Sequence, residues 1–251
     1  MEPLKHSLTA EVASLPLVEN LPRNLDSQLR FCFTPGGKLG TIMKLKIASA
    51  LVLSAFLTAC QYKAEPLPVA TYNVYSSYDG KLPGKYLLYV DAAKLDRAIK
   101  PSDFNCAAHT FPLNVSTSFA SSVRQTFANL VTELEVVQQP VGRDQLKARG
   151  ARGMIIVRGE ELNGRLRVVP GFWSAGMETE VEMAASITVD GVNGRLLGAT
   201  VSGNGNGQTD AGFACEGGAK SLVDSAEHAL KETLGRLGEA LTNSERVRKG
   251  I

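Results

Sequence analysis

The stretch Met43 to Cys60, MKLKIASALVLSAFLTAC, constrains this chain more than any other. Lys44 and Lys46 follow a methionine, and Ile47 to Phe56 is an apolar run broken only by Ser49 and Ser54. A membrane-spanning helix needs about 20 such residues, so this run is too short to cross a bilayer stably. A cationic start, a short apolar core and a small-residue end describe a secretory signal that is removed from the mature product. The alternative is a buried helix that happens to end in cysteine. Forty-two residues precede Met43, with prolines at 3, 16, 22 and 35 and little periodicity. Translation starting at Met43 would leave residues 1–42 out of the product; otherwise they form a long leader lost with the signal. Either way, Met1 to Ala59 stands outside the fold.

The signal ends in Leu57-Thr58-Ala59-Cys60. These four residues resemble the lipobox of bacterial lipoproteins: Leu, a small residue, Ala, then Cys. The resemblance implies that the Cys60 thiol carries a diacylglyceryl group, that cleavage falls before it, and that the new amino terminus is acylated. One acyl chain binds a bilayer marginally and two or more bind it stably. Gln61 follows the cysteine, where an Asp would retain an enteric lipoprotein in the inner membrane. The family rule therefore implies a lipid-anchored protein of the outer membrane, facing the periplasm.

From Cys60 onward 192 residues remain, enough for one domain with a core. Six of the 27 cationic residues and four of the 25 acids precede Cys60, so the mature span is neutral. That balance gives no reason to expect nucleic-acid binding. With Cys60 lipidated, Cys106 and Cys215 are left, and in an oxidising periplasm two such cysteines normally pair. The alternative is two buried thiols. A loop of about a hundred residues closed this way is worth about 4.7 kcal/mol in the chain-entropy account.

Residues 60–84, with Pro66, Pro68 and Pro83, read as a tether. Lys85 to Asp91 reads as the first strand, Ala92 to Lys100 as a helical turn or loop, and Ala107 to Val115 as an extended piece. Phe119, Val123, Phe127, Leu130, Val131 and Leu134 recur at helical spacing behind Ser116 to Ser118. Glu133 to Gln138 turns extended, and Arg143 to Arg149 reads as a short helix. Leu162-Asn163-Gly164-Arg165 reads as a turn joining strands 154–161 and 165–169 into a hairpin. Val181, Met183, Ala185, Ile187 and Val189 alternate with polar residues, and Arg195 to Ser202 returns as their partner strand. The run Gly203 to Gly207 reads as a flexible loop. Leu222, Ala226, Leu230, Leu237 and Leu241 then mark a last helix to about Asn243, followed by a polar tail, 244–251.

These elements predict an α+β fold in one domain, 85–243. Two long amphipathic helices pack on one face of a mixed, mainly antiparallel sheet. The block RDQLKARGARGMIIVRGEELNG, the hairpin around DGVNGRLLGATVSGNG and the closing helix resemble the small α+β domains of envelope lipoproteins of the YajG and CsgG type. No amphipathic strand pair suited to a pore accompanies them, so the resemblance does not imply a secretion channel.

Chemistry is sparse. His228 lies on the charged side of the last helix. His109 stands three residues from Cys106, but no further Cys or His stands at ligand spacing, so no metal site is expected. Gly203 to Gly207 lacks the strand-to-helix context and the Lys of a phosphate loop. Glu178, Glu180 and Glu182 share one strand face, which suits a solvated face as well as paired acids. Arg143, Lys147, Arg149, Arg152, Arg158, Arg165 and Arg167 form a cationic stretch suited to a solvated face, lipid phosphates or cell-wall carboxylates. Phe172 and Trp173, in a turn-rich segment, are either partner-binding anchors or folded into the core. The expected function is a non-catalytic binding or assembly role in the bacterial envelope. Its partners would be the membrane and an envelope protein or cell-wall component, with no cofactor. The alternative is a periplasmic hydrolase whose site the sequence does not display.

Overall fold

A computed structural model describes residues 62–102, 106–171 and 175–250. The elements run β1 (Leu82–Asp91), β2 (Asp96–Ile99), β3 (Phe111–Asn114), α1 (Ser116–Leu130), β4 (Val131–Val136), α2 (Arg143–Ala148), β5 (Gly153–Pro170), β6 (Ala175–Gly191), β7 (Gly194–Asp210), α3 (Gly217–Thr242) and α4 (Glu245–Lys249). A 3-10 turn, Phe213–Cys215, precedes α3. The fold is α+β. Its main sheet has the order β4-β1-β5-β6-β7, and β2 and β3 form a separate antiparallel pair. β1 runs parallel to both β4 and β5, while β5-β6 and β6-β7 are antiparallel. The sheet is thus mixed in equal parts by strand pairs. Antiparallel pairing dominates only because β5, β6 and β7 are 18, 17 and 17 residues long.

The two long helices, α1 and α3, do share one face of the sheet. Phe119, Val123 and Phe127 of α1 and Leu222, Leu230, Leu237 and Leu241 of α3 close over Tyr86, Leu88, Ile155, Val157 and the alternating apolar row of β6. Each such side chain, fully buried, contributes about 1.5–3 kcal/mol. The other face is not bare, contrary to the one-sided expectation. Leu87, Met154 and Ile156 point the opposite way by strand alternation and pack under Leu146 of α2 and Ala151.

Several segments depart from what local pattern predicts, among them Ala92 to Lys100, read as a helical turn or loop, which holds strand β2. Val131 and Leu134 continue the helical spacing, yet α1 stops at Leu130 and Val131–Val136 pairs with β1, Val131 opposite Leu82 and Leu134 opposite Tyr86. The long-range ladder satisfies backbone groups that one more helical turn would have satisfied locally, and β-branched Val131 and Thr132 suit the strand. Asn163-Gly164 is no turn, because β5 runs straight through it opposite β6, with one irregularity between Gly159 and Glu161. A Cβ at Gly164 would lie 2.7 Å from Ile99 Cδ1, so this glycine makes room for the β2-β3 pair rather than bending the chain. The tail 244–251 holds the short helix α4, capped by Ser244, with Val247 buried beneath it.

Residues 62–81 differ most from the tether reading. They lie between α1 and α3 as a strap clipped by backbone hydrogen bonds. Ser118 Oγ donates to the Leu67 carbonyl (2.9 Å). The amides of Ala70 and Tyr72 donate to Ser122 Oγ and Thr126 Oγ1 (3.2 Å each). These three hydroxyls stand four residues apart along α1 and so form one stripe. Further on, Val74 packs against Gly238, and the Ser77 amide donates to Asn243 Oδ1 (2.8 Å).

Candidate functional site

The distal halves of β5, β6 and β7 carry their core residues on the helix face, which leaves alternate side chains on the other. Strand register sets these in three ranks: Asn163–Glu182–Asn204, Arg165–Glu180–Asn206 and Arg167–Glu178–Gln208. Every rank places a glutamate between a cation or amide on β5 and an amide on β7. Arg167 Nε donates to Glu178 (2.7 Å), and Arg165 stands 3.8 Å from Glu180. Exposed pairs of this kind add little stability, about 0–1 kcal/mol, so the array is a surface pattern rather than a source of folding energy. A groove of about 620 Å³ runs over two of these ranks, with Lys100 and Ser102 on its rim. A second of about 470 Å³ adjoins it beside Arg97 and Asn163. The Ser102 amide donates to the Leu166 carbonyl (2.9 Å), and Arg97 Nη1 donates to Leu162 O and to Asn163 Oδ1 (2.9 Å each). These bonds fix the rim to the edge of β5.

What positions this face lies behind it. Gly203, Gly205 and Gly207 alternate with Asn204, Asn206 and Gln208, so the run read as a flexible loop is a stretch of strand. Its glycines face α3. A Cβ at Gly203 would meet Thr233 N at 2.6 Å, and one at Gly207 would meet Ser221 O at 2.8 Å. Helix and strand therefore touch backbone to backbone, which only glycine permits. Thr179, buried opposite Gly207, seals the contact, with its hydroxyl 2.8 Å from Ser221 Oγ and 2.6 Å from Ser225 Oγ.

The sequence-selected residues scatter. Glu178, Glu180 and Glu182 do share the open face. The cationic stretch does not form one patch. Arg149 Nη1 donates to Glu135 (2.7 Å), and Arg152 turns inward to the Arg248 carbonyl. Arg165 and Arg167 join the ranks. Lys85 bridges Glu135 (2.9 Å) and Glu133 (3.3 Å), which raises the lysine's pKa, and its bond to Glu135 lowers that carboxylate's. On β5, the Ser186 hydroxyl (2.6 Å) and then Lys94 (3.2 Å) hold Glu160 below its usual pKa. His228 is exposed on α3. His109 lies beside Tyr62, their rings 5.3 Å apart. Cys60, Phe172 and Trp173 lie outside the described residues; the flanking Pro170 and Ala175 pair with each other.

Cys106 and Cys215 are bonded to each other, with Cα atoms 6.2 Å apart. The bridge joins the segment before β3 to the turn before α3. Tyr62 docks at the same end: its amide donates to Thr110 O (3.0 Å), its ring stacks on Phe111 at 4.8 Å, and its hydroxyl donates to Ala214 O. Sequence patterning missed the β5–β7 ranks because Asn163-Gly164 and the glycine run both carry turn chemistry. The missed signal was the strict alternation of glycine with Asn or Gln from Gly203 to Gln208.

No protein-family model matches this chain, and no curated protein matches it. Solved structures with a similar arrangement include a protein of the DUF330 family from Xanthomonas campestris. It is 7% identical over 71% of this chain and 89% of its own, with a TM-score of 0.37. The minor lipoprotein from Acinetobacter baumannii matches 66% of this chain and 91% of its own at 10% identity, TM-score 0.28. Lipoprotein GNA1162 from Neisseria meningitidis matches 56% of this chain and 93% of its own at 11% identity, TM-score 0.22. Likenesses this distant carry no functional argument.

Proposed function

We propose that this chain is a lipid-anchored, periplasm-facing component of the outer membrane with a non-catalytic role in binding or assembly. The anchor rests on Leu57-Thr58-Ala59-Cys60, and the likeness to YajG- and CsgG-type domains belongs to the same reading. The observation that carries the binding role is the ranked face of β5, β6 and β7 with its grooves. It offers guanidinium, carboxylate and amide groups at fixed strand spacing. Its Arg165 and Arg167 are matched to Glu180 and Glu178 across the strand, which suits recognition of a polar partner that offers both donors and acceptors. Such a partner is an envelope protein or a cell-wall component rich in amides and carboxylates.

The test places a photo-crosslinking residue at Asn206 in living cells, with the same probe at exposed Lys231 on α3 as control. A discrete adduct with an envelope protein or with peptidoglycan at 206 alone is expected. It should be lost in the double variant Arg165→Glu, Arg167→Glu. Absence of an adduct at 206, or equal adducts at both positions, would overturn the binding role. Metabolic labelling with a palmitate analogue, lost in Cys60→Ala, tests the anchor separately.

A further inference from the structure

We infer that the turn Phe213–Cys215, together with Tyr62, is the surface that rests on the bilayer holding the acyl chains of Cys60. The inference rests on the proposed lipid anchor and adds which end of the domain meets the membrane. Phe213 is 86% exposed, the most exposed large apolar side chain of the described residues. It is held outward by two successive non-glycine residues in the left-handed region, Ala214 (φ 54°) and Cys215 (φ 68°). Left-handed backbone is unfavourable for such residues and persists only where the surroundings impose it, most often where it serves a purpose. Here the imposing groups are the bridge to Cys106 and the hydroxyl of Tyr62 on the Ala214 carbonyl.

Chain length then fixes the neighbour. Tyr62 is two residues from Cys60, so their Cα atoms are at most about 7 Å apart. Acyl chains on Cys60 therefore enter the bilayer beside Tyr62, and Tyr62 touches the residue next to Phe213. An exposed aromatic that close to a lipid insertion point lies within reach of the bilayer, where Tyr is favoured at the headgroup level and an apolar ring such as that of Phe213 gains by leaving water. Ala107 and Ala108, exposed next to Cys106, add small apolar surface on the same end. The exposed charges flanking these residues in sequence are Lys63, Glu65, Asp210, Glu216 and Lys220, of mixed sign. Anionic headgroups therefore gain nothing from this end, and seating depends on the lipid and the aromatics.

The test uses the full-length, exported protein with p-benzoylphenylalanine at position 213 or, as control, at 75. Tyr75 is 83% exposed and sits on the strap between Val74, against Gly238, and Ser77, which bonds Asn243 at the far end of α3. Irradiation of membranes should give phospholipid adducts at 213 several-fold above those at 75, unchanged in high salt. Adducts to protein at 213, no adducts, or equal lipid adducts at both positions would overturn the inference, provided the same sample carries the acyl label and sediments with membranes. Loss of the acyl label itself would overturn the anchor, and with it this inference.

Discussion

Replacing Gly205 with alanine should damage this fold far more than its place in a polar, glycine-rich run suggests. A Cβ there would overlap the Ser225 carbonyl oxygen and stand 2.8 Å from the Ala229 amide nitrogen. Both obstacles are helix backbone, so no side-chain rotation relieves them. The helix must lift by about an ångström along its contact with β7. Overpacking a well-filled site costs about 1–3 kcal/mol where side chains can give way. Here the lift also loosens Leu222, Leu230 and Leu234, which α3 buries on the sheet, and disturbs the Thr179–Ser225 hydroxyl contact. A cost of about 3 kcal/mol or more follows, a large share of a typical total of about 5–15 kcal/mol. For a domain of this size that lowers Tm by about 6–12 °C. Gly198 is the internal control: on the same strand, exposed, its Cβ would meet only Arg195 Cδ at 3.8 Å. Gly198→Ala should stay within about 0.5 kcal/mol of the parent. Thermal unfolding followed by circular dichroism, with the disulfide intact, measures both. If Gly205→Ala melts with the parent, the backbone contact between β7 and α3 is wrong.

Three further outcomes are expected. Replacing Cys106 and Cys215 together by serine should cost about 2–5 kcal/mol, since the bridge spans 109 positions; an unchanged urea midpoint would contradict this. Ala214→Gly relieves a left-handed backbone and should raise stability by about 1 kcal/mol, read from the same midpoint, whereas a loss would show that the methyl group packs usefully. Glu160 has a folded pKa below its ordinary value, so its contribution is present in full above the unfolded value of about 4.3 and fades as pH falls through the folded one. Glu160→Gln should therefore be less stable than the parent near neutrality, and the two should converge in acid; a gap that persists at low pH would refute the assignment.

Much of the architecture was legible because side-chain period reports burial. The row Val181 to Val189 alternates, and the stripe Leu222 to Leu241 repeats at helical spacing, and both elements formed where those periods place them. The strap escaped notice for the opposite reason. It is held through its backbone by Ser118, Ser122 and Thr126, hydroxyls that look unremarkable on an amphipathic helix. The end of α1 was misjudged because spacing alone cannot see that β1 waits to pair with Val131–Val136. The ranked face was illegible because its glycines answer to a helix that follows in sequence, and turn chemistry is the commoner use of Asn-Gly.

The strap also determines how the domain bears load. It runs alongside α3, whose 26 residues span about 39 Å, from Tyr62 at one end to Ser77 at the other. A pull on its amino-terminal end acts along its length. The first contacts to feel it, at Thr110 and Ala214, sit on segments fastened together by the Cys106–Cys215 bridge. Tension therefore reaches a covalent clasp before it reaches β1, and the sheet can stay folded while the strap strains.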